Sequence, residues 1–220
     1  MRYSILIKIF FLPLMLFFTG CFSEKIPDKK EEPIAEVPKK EVYPIELDRK
    51  QKKVYKALQH YLNQLKSLNA NNIISMTYPK FFIAFSKNIY KSQILTMTNS
   101  SNVEILDFSA KIIQIDKVNK FSEGEFAKVE YASTVKVHLK NNRLYNTQLS
   151  LNTLYSILAR KYGQKNIHVD TKTRVVTIRK REKMLSIKES PNDWKFVGDN
   201  PTYRQLYYPS FLPYDILDKI

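Results

Sequence analysis

The chain of 220 residues holds one cysteine, four glycines and three histidines. One sulfur cannot close a disulfide within the chain or supply a thiolate-bound zinc centre. Four glycines give little supply of left-handed turns and no glycine-rich phosphate cradle. No G-x-S-x-G, H-E-x-x-H or P-loop pattern occurs. These shortages remove the common nucleophile, metal and nucleotide chemistries. The expectation is a protein with no cofactor, no metal ion and no recognisable catalytic set.

What is present is an ordinary globular composition, 44% hydrophobic and 26% charged. The length suits one domain with appendages. Net charge is +15 and is unevenly held: +2 in residues 1–21, −3 in 22–48 and +16 in 49–220. A basic globular part suits an acidic partner, and equally a well-solvated lysine-rich surface.

The lone cysteine stands in LFFTGCFSE, residues 16–24. Ahead of it, MRYSILIKIFFLPLMLFFTG has two early cations, an apolar run and a small-residue end, the layout of a secretory signal over 1–20. The run from Ile9 to Phe18 is about half of the ~20 residues a spanning helix needs, and Pro13 interrupts it. The ending Phe18-Thr19-Gly20-Cys21 resembles a bacterial lipoprotein lipobox. That resemblance implies cleavage between Gly20 and Cys21 and lipidation of the Cys21 sulfur. Each buried CH₂ adds ~0.8 kcal/mol, so two acyl chains anchor stably where one does not. The expected location is the extracytoplasmic face of a bacterial membrane. Phe22, in place of Asp, favours the outer membrane, facing the periplasm, in a cell with two membranes.

Residues 21–48 follow as a tether. Pro27, Pro33, Pro38 and Pro44 recur among charges of both signs, a composition that buries too little apolar surface to order itself. As an extended spacer at ~3.1 Å per residue it reaches roughly 80 Å.

Residues 49–220 read as one folded domain. Val54, Leu58, Tyr61, Leu62, Leu65 and Leu68 recur at helical spacing, with lysines and amides opposite. NANNIISM and FFIAFSKNIYKSQILTM continue as helices around a break at Tyr78-Pro79. From residue 103 the period falls to two. Leu106, Phe108, Ala110 and Ile112 share a phase that slips to Ile113 and Ile115, which implies a bulge. Ala127, Val129, Tyr131, Val135, Val137 and Leu139 form a second clean face. Leu151, Leu154, Tyr155, Leu158 and Tyr162 return to helical spacing, with Gly163 as the expected C-cap. Val176 and Ile178 set one strand phase, Leu185 and Ile187 the other, which implies a second bulge near residues 180–183. SPND is a turn into the short strand WKFVG, and YYPSFLPYDILDKI closes as a helix packing Phe211, Leu212, Ile216 and Leu217.

The expected fold class is α+β: N-terminal helices against a strongly curved antiparallel sheet, cone-like, with an inserted helix and a C-terminal helix. YLNQLKSLNANNIISMTYPKFF at the helical end and WKFVGDN after the penultimate turn resemble the nuclear transport factor two-like superfamily, which includes SnoaL-like and ketosteroid-isomerase-like proteins. The stretch from ARKYGQKNIHVD to WKF resembles exported members of that group. The resemblance implies a cone with an internal cavity. Its enzymes use an Asp base and Tyr or acid donors inside the cone. Here Asp107 lies opposite the apolar phase, so Asp107, Asp116 and Tyr131 do not make up that set.

Two surface features carry the remaining expectations. Arg174, Arg179, Lys180, Arg181 and Lys183 form a basic ridge suited to phosphate or carboxylate groups, or a solvated outer face. Tyr203, Tyr207, Tyr208 and Phe211 suit a cavity mouth, or an ordinary core seal. His60, His138 and His168 read as surface residues. The expected role is a non-catalytic binding or scaffold module in the cell envelope, with the membrane, an anionic envelope component or an envelope protein as partner and no nucleic acid. The alternative is a small-molecule-binding protein or enzyme that uses the cone cavity.

Overall fold

A computed structural model describes residues 47–220, apart from Asn142 and the side chains of Thr202 and Tyr203. The signal, Cys21 and most of the tether lie outside the described residues. Helices α1 (Arg49–Ser67), α2 (Ala70–Met76), α3 (Phe81–Ala84) and α4 (Lys87–Thr98) come first. Strands β1 (Val103–Ile115), β2 (Asn119–Phe121) and β3 (Gly124–Leu139) follow, then α5 (Gln148–Tyr162), β4 (Ile167–Asp170), β5 (Val175–Glu189), β6 (Lys195–Gly198), α6 (Pro201–Leu206) and α7 (Tyr214–Leu217). This is the α+β arrangement expected from the pattern.

Local chemistry sets the helix limits. Asp48 caps α1: its carboxylate accepts from the Lys50 and Gln51 amides, and the Gln51 side chain accepts from the Asp48 amide. Leu68 ends the helix in the left-handed region, φ 54°. The continuous third helix expected from the sequence is split, because Ser86 turns extended and caps α4 through Ile89 N. Gly163, φ 86°, closes α5 as expected.

All strand pairs are antiparallel, in the order β1-β3-β5-β4, with β2 on β3 and β6 on β5. The β1–β3 register shifts at the expected slip, between Ile112 and Gln114, and again between Ile105 and Asp107, where Leu106 is left half-exposed. The second expected bulge is absent: β3 and β5 pair without a break from Gly124↔Glu189 to His138↔Val175. The apolar phase changes along β5 for another reason. At its start the apolar residues Val176 and Ile178 lie on one face, with Thr177 on the other. At its end both faces are covered, with Met184 in one core and Leu185 and Ile187 in another.

Three cores result. On the concave face of the sheet, Val54, Leu58, Tyr61, Leu62 and Leu65 of α1 pack on Val129, Tyr131, Val135 and Val137 of β3. Further along that face, Leu151, Leu154 and Leu158 of α5 pack on Leu139, Val176 and Ile178. On the opposite, convex face, Phe126, Leu185 and Ile187 are covered by Tyr208, Phe211, Leu212 and Ile216 from the C-terminal segment. Arg204 fixes that segment: Nε and Nη2 donate to the Asp199 carboxylate at 2.8 and 2.6 Å, and Nη1 donates to the main-chain oxygen of Ile220 at 2.7 Å.

Candidate functional site

Where α4, the start of β1, the ends of β3 and α5 meet, they leave a cavity of about 520 Å³ that is partly open to solvent. That volume falls within the range of small-molecule sites. Its apolar walls are Leu154 and Leu158 of α5, Val137 and Leu139 of β3, and Val176 and Ile178 of β5. Leu95, Met97, Val103 and Ile105 close the sides. Most polar groups come from one direction, Ser92 and Thr96 on α4 and residues 99–102 behind it, and Tyr145 adds a phenol from the segment before α5. Helix α5, inserted between β3 and β4, supplies a wall that the sheet and first helices leave open.

A second feature lies on the same concave face but outside the cavity lining. Lys180 and Glu182 are 7% and 3% exposed at their side chains and pair at 3.0 Å. Ser133 Oγ donates to Glu182 at 3.2 Å, and the Tyr131 hydroxyl bonds to it as well. Tyr162 presents its ring to the Lys161 and Lys180 ammonium groups, at 4.8 and 5.5 Å. Burial lowers the Lys180 pKa despite the neighbouring carboxylate, with Lys161 adding to the effect. Burial also brings Lys161 down to about 8. Tyr61 and Tyr131 are held well above the ordinary tyrosine value, mainly by burial and then by surrounding tyrosines and Glu182.

An acid beside a tyrosine inside a cone is a combination that proton-transfer enzymes use. Here Glu182 is already matched by Lys180, and neither side chain borders the cavity. The cluster therefore acts as a buried ionic brace between β3, β5 and α5. The sequence carries a signal for it. On a strand with inward Val176, Ile178, Met184 and Ser186, positions 180 and 182 fall in the inward phase. Reading them as ridge and bulge concealed it.

The expected ridge is therefore smaller than the sequence implied. Lys180 does not belong to it, because it points into the core. Arg174 does not either: it sits in the turn before β5 with φ 54°. Arg179, Arg181 and Lys183 share the exposed convex face, where Arg181 Nε meets Glu130 at 3.1 Å. The expected cavity mouth is also misplaced. Tyr208 and Phe211 are buried in the convex-face core, far along the sheet from the cavity lining. The Tyr208 hydroxyl donates to the Gly198 carbonyl and accepts from Asn200 N. Tyr207 is partly exposed against Phe85, and the Tyr203 side chain is outside the described residues.

His60 and His168 are exposed; His138 is half-buried, with Nδ1 4.0 Å from Glu104. Asp170 accepts from the Lys172 and Thr173 amides, so its main role is in its own turn, with His168 a weaker electrostatic neighbour. Among the described residues, no group of three or more His, Cys, Asp and Glu is placed to hold a metal ion, and no helix is long and apolar enough to cross a membrane.

No family model and no curated protein matches the chain. Among solved structures, it is similar to a crystal structure of a ketosteroid isomerase-like protein from Erwinia carotovora atroseptica SCRI1043. The two share 12% sequence identity, with 68% of this chain and 92% of that chain covered and a TM-score of 0.43. The chemistry open to the cavity follows from its own walls.

Proposed function

We propose that this protein is a non-catalytic, lipid-anchored binding module of the cell envelope that holds a small apolar molecule between α4 and α5. The cavity supports the binding half of this reading: it is of ligand size, walled by aliphatic side chains and separate from the buried Glu182. The lipobox ending at Cys21 and the proline-rich tether support the anchored half. Tethered at the membrane surface, the domain would meet apolar molecules that leave or enter the bilayer.

The binding half is tested on the full-length chain with the uncharged probe N-phenyl-1-naphthylamine. Ile105→Trp and Leu144→Trp each fill the cavity from a partly buried position. Saturable fluorescence enhancement lost in both variants, with the melting temperature retained, supports the reading; equal enhancement in all three proteins overturns it. The anchored half is tested by growth with labelled palmitate. Label on the wild type but not on Cys21→Ala, together with release of that variant from membranes, is the expected result.

A second reading concerns the convex face, where Arg179, Arg181 and Lys183 stand exposed side by side. It fits an anionic envelope surface. Salt-sensitive binding to phosphatidylglycerol vesicles, weakened in the triple Ala variant, is the result that reading requires.

A further inference from the structure

The chemistry of the cavity's occupant is legible from what its walls omit. The folded part of the chain carries +16, so a random lining would include lysine. Yet among the described residues that line the cavity there is no Asp, Glu, Lys, Arg or His. Two electrostatic effects then oppose each other for an anionic guest. The net positive field attracts it from solution, but only over a Debye length of about 8 Å at physiological salt. Inside, it must shed water without gaining a counter-charge, a loss that costs far more than screened attraction returns.

Most of the polar groups are also placed together. Thr96, Asn99, Ser101 and Asn102 gather at the C-terminal end of α4, with Ser92 one turn earlier, and only the Tyr145 phenol comes from another segment, while Leu158, Val176 and Ile178 supply apolar wall. A helix C-terminus carries partial negative charge, which disfavours a carboxylate or phosphate further and favours a hydrogen-bond donor. Hydroxyl and amide side chains at this corner offer both donors and acceptors.

Resting on the apolar-binding reading above, we propose that the cavity selects an uncharged amphiphile: an aliphatic body against α5 and the sheet, with a hydroxyl or amide head at the α4–β1 corner. Fatty-acid anions and lipid phosphates are then discriminated against, although the protein as a whole is cationic. The geometry makes this a property of the lining rather than of net charge.

Three probes of equal chain length separate the possibilities: 1-decanol, decanoate and decylammonium, each displacing N-phenyl-1-naphthylamine from the full-length chain at pH 7.5 and at two salt concentrations. Decanol is expected to bind at least tenfold tighter than either ion at both salts. Leu95→Lys supplies the converse variant. Leu95 borders the cavity and is 42% exposed, so a lysine there keeps its ammonium at the wall without being buried. That change should raise the affinity for decanoate relative to decanol about tenfold. Decanoate binding as tightly as decanol to the wild type overturns the inference while leaving a binding cavity. Displacement by none of the three, with no probe bound, removes the apolar-binding reading itself and this inference with it.

Discussion

At Gly124, where β3 begins, an added Cβ would lie 1.9 Å from the Lys188 carbonyl oxygen. The obstacle is main chain in a continuous ladder, so the strand must shift. Gly124→Ala should cost stability at the upper end of the 1–3 kcal/mol typical of overpacking, read by urea unfolding. The buried pair gives a sharper test. Removing one partner leaves a charge without compensation, so Lys180→Met should lose about 3–5 kcal/mol. Lys180→Met with Glu182→Leu should recover most of that loss, because the pair's desolvation cost goes with it. A double variant as unstable as the single one would show that the pair is no brace. Lys161 adds a pH signature. Its folded pKa is about 8 against an ordinary 10.5, so above pH 8 the unfolded chain binds more protons and stability rises with pH. The buried tyrosines, with pKa raised above 10, reverse the trend only at higher pH. The deficit of wild type relative to Lys161→Met should therefore shrink between pH 7.5 and 9.5. Parallel melting curves would contradict the burial of that ammonium. That Lys180 is buried was legible only through strand phase, since composition favours all lysines outside.

At the scale of elements, α1 shows how local sequence fixes structure. Asp48 and Gln51 close a reciprocal cap, and five apolar residues at helical spacing meet the sheet. Asp48→Ala should cost about 1 kcal/mol, within 0.5–2, measured by thermal or urea unfolding. The helix itself, the slip in β1, the Gly163 cap and the alternation of β3 were all readable, because each depends on periodicity or on one residue's backbone preference. The phase change in β5 was visible but misassigned. A bulge and a second covering layer give the same one-dimensional pattern, and only the C-terminal segment packing on Leu185 and Ile187 tells them apart. The same layer explains why Tyr208 and Phe211 seal a core instead of lining a mouth. The split before α4 was missed because in FFIAFSKNIYKSQILTM the capping Ser86 is the one mark of it, and apolar residues recur at helical spacing on both sides.

For the whole molecule, the sequence carried the α+β plan but not the place of the cavity. A void depends on how far apart α4 and α5 stand, and no residue pattern records that distance. Its apolar walls are the same leucines and valines that would fill a closed core. The central claim is that a small apolar molecule occupies this space. It is tested most directly by adding 1-decanol to methyl-labelled full-length protein and recording intermolecular nuclear Overhauser effects. The account predicts contacts from the alkyl chain to the methyl groups of Leu158, Val176 and Ile178, and none to Leu185, Ile187 or Leu212. Contacts to the second set, or to neither, would contradict it.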